Sequence, residues 1–172
     1  PGRLMTADWH LSNSLIKTLT QGQRDQVDGL MAQLQETERA LSSDRAPGLA
    51  MAPRHVDYLM ALADATDGAF LTVMTGDEVL GFCVVILTEE DADDRHLLND
   101  FKLAGEVTDL IVDPNHQKKG IARALIQAAM GHCQARGVQQ LKLKTLAANT
   151  PARGAFEALG FSAHEVIHTI DL

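Results

Sequence analysis

Positive charge is scarce in this chain. Lysine and arginine together number 15 against 23 aspartates and glutamates, a net charge of -8 with histidine neutral. Non-specific nucleic-acid binding needs a basic footprint, so no nucleic-acid partner is expected. The acidity mildly favours cationic small molecules, although its commoner meaning is solubility. Cysteine is scarce too. Cys83 and Cys133 each lie in an apolar run, with no CxxC pair and no ligand cluster nearby. They read as buried free thiols in a reducing cytoplasm. No apolar run approaches the length of a membrane span, and no signal-peptide core is seen, so no membrane partner is expected. Internal repeats and low-complexity segments are absent as well.

What remains is an ordinary globular composition, 45% hydrophobic and 22% charged over 172 residues. That length suits one domain, residues 1–172, with a sizeable core. Residues 1–13 read as a tag remnant or a disordered N-terminus and carry no structural weight. "SLIKTLT" (Ser14 to Thr20) has the alternation of a short strand. From Arg24 to Leu41, Val27, Leu30, Met31 and Leu34 recur at helical spacing. A second helix starts at "PRHVDYLMALADATDG", with Pro53 in its first turn and Gly68 at its end. "AFLTVMTGDEVLGFCVVIL" reads as a hairpin around a Thr-Gly-Asp-Glu turn. The acidic "TEEDADDRHLLNDFKL" reads as an irregular, solvated connection.

"GEVTDLIVD" (Gly105 to Asp113) is a strand. A helix follows from about Gly120 to Arg136, capped by Gly137. "VQQLKLKTL" is a further strand, "NTPARGAFEALGF" a short helix starting at Asn149, and "HEVIHTIDL" a last strand. The order is a strand, two helices, a hairpin, then strand-helix-strand-helix-strand. That is an α/β or α+β architecture, a mixed sheet with helices on both faces.

One stretch asks for more than a turn. "DPNHQKKGIARAL" places Lys118 and Lys119 directly before Gly120 at a strand-to-helix junction. The first turn of a helix has unpaired N–H groups and carries partial positive charge. Gly120 lets a backbone approach a ligand closely, and Ala122 keeps the next turn slim. A diphosphate suits such a place. The nucleotide loop GxxxxGK[ST] and the dinucleotide pattern GxGxxG are both missing.

The run Gln117-Lys118-Lys119-Gly120-Ile121-Ala122 resembles the pyrophosphate motif of the general N-acetyltransferase (GNAT) superfamily, commonly [RQ]-x-x-G-x-[GA]. "LIVDP" before it is similar to that family's central strand. "NTPARGAFEALGF" is similar to its second signature. The likeness is close from about Gly105 to Phe161, whereas the first hundred residues match in element order only. The six-residue motif alone is weak; the two motifs in order, in this strand-turn-helix context, are a strong combination.

The resemblance implies a GNAT-like mixed, mainly antiparallel sheet flanked by helices. It also implies a cytoplasmic acetyltransferase that moves an acetyl group from acetyl-CoA, as co-substrate, to a primary amine by direct attack. No metal is implied. On that likeness, Gln117, Lys118, Lys119, Gly120, Ile121, Ala122 and Arg123 hold the pyrophosphate. Leu110, Ile111 and Val112 line pantetheine, and the Leu110 amide polarises the thioester carbonyl. Asn149 contacts pantetheine, a role compatible with capping a helix, and Phe156 belongs to the same binding region. Family members often dimerise, so a homodimer is an expectation without an identified interface.

Two carboxylates on the central strand are candidates for the base that the ammonium acceptor needs. Glu106 matches the base position of the histone-acetylating branch. Asp109, three residues on, faces the other side by simple alternation unless a bulge intervenes. The family's tyrosine general acid is replaced by Phe156, and a phenyl ring donates no proton. Tyr58, the chain's only tyrosine, falls on the second helix, with two readings as proton donor or as a wall of the acceptor pocket; the preferred reading is a packed residue with its hydroxyl at the surface. His164 and His168, four apart on the last strand, read as structural. His116 reads as a solvated loop residue, and Lys142 and Lys144 as an exposed strand face. Two other readings stay open: a GNAT-fold module that binds CoA with little catalysis, and an acyltransferase for another acyl-CoA. The acceptor itself is not readable from the residues.

Overall fold

A computed structural model describes residues 9–13, 19–170 and 172 of the chain. The elements are β1 (His10–Asn13), α1 (Gln21–Arg39), α2 (Gly48–Ala65), β2 (Ala69–Thr75), β3 (Glu78–Glu89), β4 (Leu103–Val112), α3 (Ile121–Gln134), β5 (Leu141–Leu143) and α4 (Thr150–Ala158). The strands form one five-stranded sheet in the order β1-β2-β3-β4-β5. The first four pair antiparallel, and β5 lies parallel to β4. This is the mixed, mainly antiparallel sheet that the sequence predicts.

Helices cover both faces. Val27, Leu30 and Met31 of α1 and Val56, Leu59 and Met60 of α2 pack with Phe70, Phe82 and Val84. On the other face Ile121, Leu125, Ile126 and Ala129 of α3 pack with Leu71, Val73, Val85 and Val107. The central strands are therefore apolar on both sides, which explains the nearly continuous burial of β2 and β3. Cys83 and Cys133 are both free and buried. No helix among the described residues is long and apolar enough to cross a membrane.

Local chemistry explains most element ends. Thr20 and Gln23 cap α1 reciprocally: Thr20 Oγ1 accepts from the Gln23 amide at 3.2 Å, and Gln23 Oε1 accepts from the Thr20 amide at 3.0 Å. The hairpin turns at Gly76, whose φ is +56°. Gly137 at +75° follows the end of α3.

Several expectations fail. The strand read over Ser14 to Thr20 lies mostly outside the described residues; Leu19 is not in a strand and Thr20 caps a helix. A strand forms instead over His10–Asn13, inside the stretch set aside as a tail, because it pairs with β2. Residues 1–8 lie outside the described residues. Helix α2 starts five residues before Pro53, so that proline sits inside it. The start is set by Gly48, whose amide donates to Glu36 Oε1 at 2.6 Å and whose missing Cβ lets it lie against the Ala32 carbonyl.

The strand read over "VQQLKLKTL" shrinks to Leu141–Leu143. "HEVIHTIDL" forms no strand: residues 161–170 carry no regular structure, and Val166, Ile167 and Ile170 are exposed. Alternation is a necessary but insufficient signal, because a strand also needs a neighbour for its backbone groups. His164 and His168 therefore share no strand face.

Candidate acetyl-transfer site

The site is organised by β4. In its first part this strand has partners on both edges: Gly105, Glu106 and Val107 pair with β5 on one side and with Leu87, Ile86 and Val85 of β3 on the other. Pairing with β5 ends at Val107–Leu143. From Thr108 to Val112 the β5-side edge has no strand alongside among the described residues. Extended backbone with a free edge can accept an extended ligand by adding hydrogen bonds strand-fashion.

A bulge sits at the same point. Val85 faces Val107, but the next residue on β3, Val84, faces Asp109, so Thr108 is the extra residue. Val84 and Ile86 are two apart on β3 and share a face, and they stand opposite Asp109 and Glu106 respectively. The bulge thus brings the two carboxylates to one face, that of α1 and α2. Simple alternation alone would have separated them.

Their environments differ. Glu106 Oε1 makes an ion pair with Lys144 Nζ at 3.0 Å. That pair ties β4 to the chain just beyond β5, so Lys144 is not merely an exposed strand lysine. Asp109 has no such partner. Burial pushes its carboxyl above the usual carboxylate range; the charge of His55 and the Thr108 hydroxyl pull it down, and Glu38 pushes it up. Glu38 is itself held by Arg45 Nε at 2.9 Å. His55 stacks on Tyr58, with ring centroids 5.9 Å apart, and Tyr58 is 57% exposed. A half-buried carboxyl with a raised pKa thus lies on the α1 and α2 face of β4, among polar groups from both helices.

Glu38, Arg45, His55 and Thr108 are the residues that sequence reasoning missed. Their approach to Asp109 depends on helix packing and on the bulge. The one local signal was His55, three before Tyr58 on a helix already read as amphipathic.

Strand β4 leads into the helix start. Asp113 Oδ1 accepts from the Asn115 amide at 2.8 Å, closing a short turn over Pro114–His116. His116 is half-buried there, its Nδ1 3.4 Å from Asp113 Oδ1, and so is not the solvated residue expected. Gln117 Nε2 reaches the Val112 carbonyl at 3.5 Å. Lys118 and Gly120 have φ of +60° and +82°. Left-handed residues in such a loop turn successive N–H groups to one side and form an anion-binding hollow. Lys118 bears that conformation without being glycine, the kind of strain that clusters at functional sites.

No side chain caps α3, so the N–H groups of Ile121, Ala122 and Arg123 lack an intrahelical acceptor. A Cβ built on Gly120 would meet nothing within 4 Å, so the ground above the loop is open. Lys118 and Lys119 are exposed beside it. Uncapped amides, a helix dipole and two cations fit the diphosphate of a CoA thioester. The Arg123 side chain points elsewhere, donating to the Ala158 carbonyl at 3.2 Å and bracing α4.

The remaining candidates flank this line. Leu110 and Val112 turn toward the α3 face, and Ile111 packs toward α1 and α2. Asn149 caps α4, its Oδ1 accepting from the Ala152 amide at 3.2 Å. Phe156 packs edge-on against Phe161, with centroids 6.3 Å apart.

Known proteins resemble this chain in sequence and in fold. A stretch of 58 residues is 41% identical to a mycothiol acetyltransferase of Thermobispora bispora, covering 34% of this chain and 20% of that protein. A stretch of 53 residues is 38% identical to the [ribosomal protein bS18]-alanine N-acetyltransferase of Escherichia coli K12, covering 31% of this chain and 36% of that protein. The matched stretch thus spans a fifth to about a third of these curated relatives. Glucosamine-6-phosphate N-acetyltransferase from Arabidopsis thaliana has a similar fold, with a TM-score of 0.65 at 14% identity over 95% of this chain and 97% of that one. The acetyltransferase (GNAT) family pattern matches residues 33–161, from within α1 to the end of the second motif, and the chain belongs to that family.

Proposed function

We propose that the protein is an acetyl-CoA-dependent N-acetyltransferase that acetylates a primary amine by direct attack. The observation that carries this reading is the continuity of β4. Its edge opens at Thr108, Asp109 stands at the opening, and the strand runs on to the uncapped start of α3 at Gly120. The donor's pyrophosphate rests on the amides from Gln117 to Arg123, with Lys118 and Lys119 adding charge. Pantetheine follows the free edge along Leu110, Ile111 and Val112, with Asn149 and Phe156 on its far side.

The thioester supplies an activated acetyl group. The acceptor arrives as an ammonium, and Asp109 takes one proton from it. A raised carboxyl pKa makes Asp109 the better base of the two carboxylates, since Glu106 is engaged by Lys144. The neutral nitrogen attacks the thioester carbonyl, whose oxygen the Leu110 amide supports. A C–N bond forms and the C–S bond breaks. Phe156 has no proton to give, so the departing thiolate takes the second proton from the attacking nitrogen. Two buried free thiols suit a reducing cytoplasm for this enzyme. The named activities of the relatives support an amine acceptor without choosing one.

Calorimetric titration tests the reading. Acetyl-CoA should bind in the micromolar range while ATP and NAD do not. No acetyl-CoA binding would overturn it. The missing phenol at position 156 motivates one rival, a CoA-binding module with little catalysis. Binding of acetyl-CoA with no turnover across a broad panel of primary amines would favour that rival.

A further inference from the structure

The Thr108 hydroxyl has one polar neighbour, the Asp109 carboxyl, and nothing to use its acceptor capacity. Its Oγ1 is buried and has no hydrogen-bond partner of acceptable geometry among the described residues. Buried hydroxyls are nearly always bonded, and leaving one unmet is costly. Packing does not demand it, because valine would fill the same β-branched shape in a strand otherwise rich in Val, Leu and Ile. Its position is specific. Thr108 is the extra residue of the bulge and the first residue of β4 beyond the reach of β5. It lies beside Asp109, whose ionised form it favours.

The other polar groups around Asp109 do not engage the hydroxyl. From α1 comes Glu38, already bound to Arg45 at 2.9 Å. From α2 comes His55, stacked on Tyr58. From β3 comes the Cys83 thiol, which burial keeps protonated. A hydroxyl can donate one hydrogen bond and accept another at once. Next to a carboxylate, its own proton goes to the carboxylate, and its lone pairs then face any third group that enters.

We propose that Thr108 Oγ1 and the Asp109 carboxylate together hold the acceptor nitrogen, Thr108 accepting one N–H while donating to Asp109. The assignment rests on the acetyltransferase reading and requires an acceptor ammonium with at least two N–H groups, which a primary ammonium has. One N–H goes to each oxygen. After Asp109 has taken its proton, the N–H to Thr108 still orients the nitrogen while the C–N bond forms and the C–S bond breaks. A second proton of the nitrogen then leaves for the sulfur, and the amide product keeps one N–H.

The test follows the Asp109 carboxyl by carbon NMR in protein labelled at aspartate, the signal being identified by its loss in Asp109→Asn. Methylammonium is the probe and tetramethylammonium, without N–H groups, the control. In the parent and in Thr108→Ser, methylammonium should shift the signal saturably and tetramethylammonium should not. In Thr108→Val the methylammonium affinity should fall at least tenfold and the carboxyl should titrate at higher pH, having lost a donor. Acetyl-CoA binding should be unchanged, which shows that the variant is folded. The assignment is overturned if Thr108→Val matches the parent in both readouts, or if tetramethylammonium binds as well as methylammonium. A parent that binds no acetyl-CoA removes the transferase reading and this assignment with it. A parent that binds it while Thr108→Val changes nothing removes only the assignment.

Discussion

The two halves of β4 are built differently. From Leu103 to Val107 the strand is held on both edges, and Ala104, Gly105 and Val107 are buried. From Thr108 to Val112 it is held on one edge and carries a bulge, a desolvated carboxyl and a buried hydroxyl whose acceptor capacity is unused. The first half has its backbone paired on both edges and its apolar residues buried. The second half breaks three local rules of sheet stability within a few residues. Local violations in an otherwise consistent fold concentrate where a protein does its chemistry. The contrast makes the second half the part that can be damaged without loss of fold, and the first half the reverse.

The sharpest way to separate them is Asp109→Asn. Turnover should fall by about two to four orders of magnitude, the usual worth of a positioned base, while acetyl-CoA affinity stays near that of the parent. Steady-state rates and calorimetry check both. The same variant should be more stable than the parent at neutral pH. The folded-state pKa of Asp109 is raised, so its contribution is favourable below the unfolded value near 3.8 and is lost as pH rises through the folded value. Urea midpoints at pH 4 and pH 7 should therefore diverge, with the advantage of the variant appearing only at the higher pH. In the parent, activity should rise with pH along one limb set by Asp109, and that limb should vanish in the variant.

Gly120→Val tests the far end of the same line. A side chain there needs the left-handed conformation, which costs about 1–2 kcal/mol, and it projects into the space open to the pyrophosphate. Acetyl-CoA affinity should drop at least tenfold, read by calorimetry, with a modest fall in thermal midpoint. Gly105→Ala probes the well-held half. The new methyl would press on Cys133 Sγ and on Leu141, so stability should fall by about 1–3 kcal/mol in urea unfolding. The acetyl-CoA affinity of the folded fraction should not change. Smallest of all should be Lys144→Met. Its pair with Glu106 is largely exposed on the lysine side, and such pairs contribute about 0–1 kcal/mol. A hundredfold loss of turnover in that variant would move Glu106 back among the candidates for the base.

Much of this was readable in one dimension. The hairpin turn at Gly76, the Gly120 junction and the Asn149 cap are set by residues within a few positions of one another, and they sit where the residues place them. The strand read at "HEVIHTIDL" failed because alternation describes a strand's sides and not its neighbour. The start of α2 was missed because Gly48 answers to α1, through Glu36 and Ala32, and not to its own helix.

The same division runs through the site. The sequence by itself determined the proposed anion cradle, since an uncapped helix start, two lysines and a glycine in a left-handed turn are contiguous and act through local backbone geometry. It also determined that carboxylates stand on the central strand. Only the tertiary structure decided which of them faces water-poor surroundings and which is paired. That choice depends on a one-residue bulge opposite β3, on a β5 only three residues long, and on two helices that bring Glu38 and His55 to Asp109. Register and desolvation belong to the assembled sheet and its covering helices, so no stretch of residues read alone contains them.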